Sequence, residues 1–172
     1  MPAEKRSFED ALEPIVYWDA SFTIAVFVVT DLFHKECVAF KQRILDEEST
    51  LSAVSDFVYH ELAFYLVRNE LTAEARQRGQ HWRDVKRQDP SIVRMAMLEV
   101  ELKKMEMDRL TLNLPVLEGV KENAFQLMRD YALLPTDAYH IAIALDAGVN
   151  AFATVDADFL NVDGIIVYTC LP

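Results

Sequence analysis

The sequence predicts an α/β sandwich around a parallel sheet, and three observations predict it. Short β-branched and aromatic runs, at 15–18 and 151–155 among others, alternate with longer stretches carrying helix caps, helix stops and one-sided apolar patterns. Two of these runs end directly on an aspartate, Asp19 and Asp156. Between about 71 and 112 the pattern changes to charge-dense helical sequence, which reads as a helical arm within a single domain spanning 1–172.

In chain order, the opening fourteen residues are polar and read as a loose tail or a first turn, so ordered structure is expected from Ile15. Residues 15–18 form a first strand, and Ser21 caps an apolar helix over 22–30. A second helix over 34–46 buries Cys37, Phe40, Ile44 and Leu45, and 50–54 is the second strand. Ser55 caps a helix over 56–70 whose core side is Phe57, Val58, Leu62, Tyr65 and Leu66. The arm follows as two helices, broken at Gly79 and at Asp89-Pro90. Asn113 and Pro115 then open a helix running to about Tyr131. Thr136 is an N-cap candidate that places Asp137 in the first turn of an apolar helix stopped by Gly148. The strand 151–155 leads into Asp156, and 164–169 is the final strand.

Composition narrows the function. A chain of 172 residues, 52% apolar, can bury one full core. Its longest apolar run, at 22–29, falls far short of the ~20 residues of a membrane span, so a soluble, cytoplasmic protein is expected. Two distant cysteines, Cys37 and Cys170, read as reduced core thiols. A net charge of −11 argues against a simple nucleic-acid binder, but 68–109 holds ten basic against eight acidic residues, +2 within a chain whose remainder is −13.

Chemistry enters through four separated carboxylates. Asp19 and Asp156 stand at strand ends, where open parallel sheets bind ligands. Glu61 has Phe57 and Tyr65 four residues to either side, an apolar setting for an acid, and Asp137 opens a helix. Gathering such groups costs desolvation and repulsion unless a cation lies among them. With no His or Cys at ligand spacing, a hard ion, Mg²⁺ or Mn²⁺, suits them better than zinc. Such ions suit phosphodiester hydrolysis, which then needs no nucleophilic Ser or Cys.

Four motifs in this order carry a resemblance: YWDAS at 17–21, SDFVYHELAFYL at 55–66, LLPTDAYHIAIALDAG at 133–148 and TVDADF at 154–159. Together they resemble the PIN-domain nucleases, most of all the VapC-type toxin ribonucleases of VapBC toxin–antitoxin pairs. The third and fourth motifs are the demanding ones; a lone DAS is weak. The resemblance implies a three-layer α/β/α fold with a mainly parallel sheet and a metal-dependent endoribonuclease. It also implies an acidic pocket of Asp19, Glu61, Asp137 and Asp156, with Asp158 as a possible fifth acid and Ser21 and Thr154 as supporting hydroxyls. An RNA substrate, an antitoxin-like inhibitor and a homodimer are its expected partners. The segment 71–112 departs from a compact toxin in length and charge.

Blander readings stand beside these. Asp19 can be a capping acid, the helix dipole alone favours Asp137, and Asp158, whose direction depends on the turn after Asp156, reads as a supporting or surface acid. His140 reads as a packed or surface histidine. Arg76, Arg78, Arg83, Lys86 and Arg87 can steer RNA or form a salt-bridged face, and Trp82 can pack or stack on a base. Met95, Met97, Met105 and Met107, with Leu98 and Leu102, read as a buried seam or a partner-binding groove. A PIN-like module that binds RNA without cleaving is the main rival. A haloacid-dehalogenase-type phosphatase is disfavoured by Ser21, where that chemistry needs an acid or Thr.

Overall fold

The computed structural model describes residues 2–172, which form two compact units. One comprises the chain up to Val58 together with Leu110–Pro172; the other is Tyr59–Arg109.

The first unit is organised by a six-stranded sheet. Its strands are β1 (Glu4–Arg6), β2 (Ile15–Trp18), β3 (Leu51–Ser55), β4 (Leu112–Leu114), β5 (Ala151–Ala153) and β6 (Ile166–Tyr168), in the spatial order β1-β6-β5-β2-β3-β4. Every pairing is parallel. Such a sheet must be covered on both faces, and the strands show it: Val16, Tyr17, Trp18 and all of β5 are buried. The covering helices are α1 (Ala20–Phe27) with α2 (His34–Asp46), and α6 (Val120–Tyr131) with α7 (Pro135–Asp146), giving a three-layer α/β architecture. From β2 the chain moves outward to β3 on one side and later returns to β5 on the other. The sheet therefore has its topological switch point between β2 and β5.

Helix α7 is apolar around most of its circumference, burying Ala138 and every residue from His140 to Ala144, as a helix sunk in the core must. It ends where expected: Gly148, at φ +78°, takes the left-handed conformation that turns the chain into β5.

Several boundaries differ from the sequence reading. The opening residues are ordered: β1 pairs with β6, Phe8 stacks on Phe40 with ring centroids 4.2 Å apart, and Arg6 bonds Glu13 and the Tyr168 hydroxyl. A three-residue polar edge strand has no alternation to read, because only its backbone joins the sheet. Asp19, not Ser21, caps α1, which ends at Phe27. Leu45 is 38% exposed rather than buried. Ser55 closes β3, and the helix after it, α3 (Asp56–Arg78), runs well past 70. Asn113 belongs to β4, so α6 starts only at Val120, after Gly119. Leu134 is the N-cap of α7 and Pro135 its first residue, displacing Thr136 from the cap. Strand β5 stops at Ala153.

The second unit contains the rest of α3 beyond Val58, then α4 (Trp82–Gln88) and α5 (Ser91–Leu110). Its small core is Leu71, Ala75 and Val85, with Val67, Trp82, Ile92 and Val93 packed against it. Tyr59 closes it by donating to Asp108 at 2.8 Å. The expected Met/Leu seam is split between two faces. Met107 is buried, while Met95, Leu98, Leu102 and Met105 are exposed. Among the described residues no helix is long and apolar enough to cross a membrane, and both cysteines are free.

Candidate metal centre

The site grows from the switch point. Strands β2 and β5 pair Tyr17 with Phe152 and Trp18 with Ala153, and the Asp19 N–H extends the ladder to the Ala153 carbonyl at 3.2 Å. Asp19 and residues 154–156 thus leave the sheet side by side. The Asp19 side chain caps α1, accepting from the Phe22 N–H at 2.7 Å. Ser21 Oγ and Thr154 Oγ1 each donate to Asp19 Oδ2 at 2.9 Å. Both hydroxyls also accept: Thr154 from the Asp156 N–H at 2.9 Å, and Ser21 from the Val155 N–H at 3.0 Å. This closed set of bonds ties the turn carrying Asp156 to the buried carboxylate of Asp19. The capping role and the placement of the acids are therefore one arrangement, not alternatives.

Asp156 then caps a one-turn 3₁₀ helix over Ala157–Asn161, accepting from the Asp158 N–H at 2.9 Å. Buried Phe159 anchors that turn against Phe152, the ring centroids 5.7 Å apart. Asp137 lies in the first turn of α7, at the positive end of its dipole. As a result Asp137, Asp156 and Asp158 each offer a carboxylate oxygen, all within 4.8 Å of one another. Asp137 and Asp156 are half-buried and Asp158 is exposed, so the group opens to solvent on one side.

These donors fit a hard divalent cation. An octahedral shell with bonds of about 2.1 Å holds its oxygens about 3 to 4 Å apart, within reach of carboxylates this close after small side-chain rotations. Behind them, burial pushes the Asp19 carboxyl up to about 6, opposed by the Phe22 N–H, the nearby His140, Ser21 and Thr154. Asp19 is 3% exposed, so its charge has little access to water. A cation beside the group would favour its ionised form.

A further set of residues supports this site; all three lie within the quoted motifs, but none was given this role there. The Tyr17 hydroxyl, fully buried, bonds Ser55 Oγ at 2.6 Å and His140 Nδ1 at 2.9 Å. It links β2, β3 and α7, fixing α7 about its axis and hence the direction of Asp137, one turn before His140. Within those motifs Tyr17 precedes Asp19 by two residues and His140 follows Asp137 by three. Phe57 stacks on Tyr139 beside it, at 5.1 Å between centroids.

The remaining candidates lie in the second unit. Glu61 is half-buried on α3, one turn from Tyr65. Arg78 is held by Glu74 and Asp89, and Arg87 by Asp84, whereas Arg76, Arg83 and Lys86 are exposed. Trp82 packs on the unit's core, with the Arg68 and Arg83 guanidinium carbons 5.9 and 5.2 Å from its ring centre.

A parallel α/β sheet with convergent carboxylates at its switch point defines the class, an α/β protein with an acidic cluster at the ligand-binding edge of its sheet. Within that class the assignment is specific. The PIN domain model matches residues 16–165, and the chain belongs to the PIN domain family. The fold is also similar to that of VapC20 from Mycobacterium tuberculosis, a sarcin–ricin loop cleaving toxin. The TM-score is 0.55 at 16% identity, over 84% of this chain and 92% of that one. No curated protein matches the sequence.

Proposed function

We propose that this protein is a Mg²⁺- or Mn²⁺-dependent endoribonuclease of the VapC type, acting in the cytoplasm as the toxin of a toxin–antitoxin pair. The observation that carries the reading is the convergence of the Asp137, Asp156 and Asp158 carboxylates beside buried Asp19 in a PIN domain. Family membership brings nuclease chemistry; the likeness to VapC20 supports an RNA substrate and an antitoxin-like inhibitor.

In this reading Asp137, Asp156 and Asp158 hold the ion at the open edge. Asp19, tied to the Asp156 backbone through Thr154, adds negative charge, and Glu61 completes the acidic set on the strength of the resemblance. When bound, a divalent ion supplies Lewis acidity and charge neutralisation for phosphodiester hydrolysis. The chain's own residues do the positioning. Thr154 and Ser21 direct the Asp19 oxygens and pin the Asp156 backbone, while the Tyr17–His140 bond aims Asp137. Arg76, Arg83 and Lys86 steer RNA past an otherwise acidic surface, with Arg78 and Arg87 contributing less because their charges are already paired.

The test is cleavage of a mixed RNA pool with Mn²⁺ and with a chelator, for wild type, Asp137→Asn and Glu61→Gln. The reading expects Mn²⁺-dependent cleavage lost in Asp137→Asn. Equal activity of wild type and Asp137→Asn, or cleavage that ignores the chelator, would overturn the mechanism. RNA binding without turnover would instead make the protein a non-cleaving module.

A further inference from the structure

Three of the seven Lys and Arg residues in the sheet-bearing unit, Lys5, Lys35 and Arg43, converge on one cavity, although nineteen acids make that unit strongly negative. The cavity lies between α2 and the ends of β1 and β6, with Ser7 lining it just past β1 and Thr169 just past β6. At about 840 Å³ it has the size of a small-molecule site.

Its place in the fold relates it to the acidic centre. Every strand pairing is parallel, so the ends of β1 and β6 lie on the same edge of the sheet as Asp19 and the turn carrying Asp156. Strands stand about 4.8 Å apart, which puts the cavity roughly 5 to 10 Å along the rim from the end of β5, a span of about one to three nucleotides of a single strand. Phe22, whose N–H bonds Asp19, also packs on the cavity's stacked Phe8 and Phe40 rings, at 6.1 and 6.0 Å between centroids.

The lining has the mixed chemistry of a nucleotide. Lys35 is exposed in the first turn of α2 and, among the described residues, has no side-chain partner. Arg43 gives one guanidinium N–H to the Phe8 carbonyl at 2.6 Å and keeps the rest of its fork. Both suit a phosphate. Glu9 and Glu36 face the same cavity, and a carboxylate accepts from the N–H groups of a base edge, as Glu does from the cytosine amino group. A site for phosphate alone has no use for two acids, and a site for an apolar ligand has none for three cations. An unpaired nucleotide uses both sets, with Phe8, Ala39 and Leu171 as the apolar wall for its base.

We propose that this cavity is a nucleotide subsite, which rests on the nuclease reading above. It takes one unpaired nucleotide of the RNA substrate beside the cleaved bond, the phosphate on Lys35 and Arg43 and the N–H edge of the base on Glu9 and Glu36. Base preference near the cut arises here, apart from the carboxylates that hold the ion.

In chelator, where no ion at the acidic centre can hold a phosphate, the full chain is titrated calorimetrically with AMP, CMP, GMP and UMP in turn. At least one should saturate with a Kd of about 0.1 to 1 mM. Lys35→Glu should weaken that binding at least about tenfold, and Ala39→Trp, which fills the cavity from an exposed helix position, should abolish it. Both variants should melt within about two degrees of wild type, since neither side chain is buried. With Mn²⁺ and RNA, Ala39→Trp should raise KM at least about fivefold with a smaller change in kcat, and should erase the preference for one base within about three nucleotides of the cut. No saturation by any of the four at about 10 mM, or equal affinity in wild type and both variants, would overturn the subsite even if RNA is cleaved. Nucleotide binding that is lost in the variants, in a protein that cleaves no RNA, would instead uphold the cavity as a nucleotide site and overturn the nuclease reading.

Discussion

Replacing Asp19 by Asn should make the metal-free protein more stable, and the size of the gain follows from the burial of this carboxyl. Its pKa rises from 3.8 when unfolded to about 6 in the native state, chiefly by desolvation. A displacement of about two pH units is worth about 3 kcal/mol. The sign is fixed by proton counting. Below pH 4 both states carry the proton and the group contributes nothing. Between about 4 and 6 the unfolded state has ionised while the native state still holds its proton, so stability falls as pH rises. Above 6 both are ionised and the full cost is present.

Asn removes that cost and keeps the cap, since its carbonyl can accept from the Phe22 N–H as Oδ1 does now. What it loses is the acceptor for Ser21 and Thr154, whose hydroxyls must turn to accept from the amide while still accepting from Val155 and Asp156. Discounting for that rearrangement, Asp19→Asn should gain about 2 kcal/mol at pH 7 in chelator, or about 6 °C in melting temperature for a chain of this size. The gain should fade toward pH 4. Added Mn²⁺ should reverse the order, because a ligand that binds the native wild type more tightly stabilises it by mass action. Thermal melts of both proteins at pH 4, 5.5 and 7, with chelator and with Mn²⁺, make the comparison. A variant less stable than wild type at pH 7 in chelator, by an amount that does not change with pH, would refute the claim that Asp19 is held ionised at a desolvation cost.

Ala132 ends α6 with φ +55°, a left-handed conformation that costs a Cβ-bearing residue, so Ala132→Gly should stabilise by about 0.5 to 1 kcal/mol in urea denaturation. Tyr17→Phe removes the buried hydroxyl that bonds both Ser55 and His140 and should cost about 1 to 3 kcal/mol by the same measurement. Asp158→Asn should weaken Mn²⁺ binding in calorimetric titration while leaving the metal-free melting temperature within a degree or two, since Asp158 is exposed. Arg76→Ala with Lys86→Ala should lower RNA affinity and reduce the salt slope of log K by about 0.7 per charge, whereas Arg87→Ala, its charge already paired to Asp84, should change the slope less.

The parts of this molecule legible in its sequence are those where one residue type serves one local need. The runs at β2 and β5 are apolar because both sheet faces are covered, so both were visible, the end of β2 at Trp18 correctly and that of β5 two residues late. Gly148 marked the end of α7 because only a residue without a Cβ takes that turn cheaply. Edge strands β1 and β4 left no trace, since three residues joined through backbone alone need no pattern. In the arm, counting apolar residues on α5 could not separate an inward face from an outward one. Both have helical spacing, and only the packing of Leu71, Ala75 and Val85 decides which is used.

Asp158 shows most clearly why the site was only partly readable. Alternation along a strand turns residue 157 to the opposite face and makes the direction of 158 depend on the turn, so the sequence favoured a surface acid there. The strand, however, has already ended at Ala153, and Asp156 caps a 3₁₀ turn whose first N–H bonds include that of Asp158. A cap residue and the residue two beyond it are drawn together by that bond, so the Asp-x-Asp spacing yields two neighbouring carboxylates because the chain leaves extended geometry. The same bond that satisfies a helix end brings two negative charges together. Capping accounts for the backbone geometry, and an acid is itself favoured in the first turn that Asp158 occupies, so the second carboxylate fits a cation site without requiring one. Substitution of Asp158 therefore separates metal affinity from fold more cleanly than that of Asp19 or Asp156, whose side chains also hold the backbone.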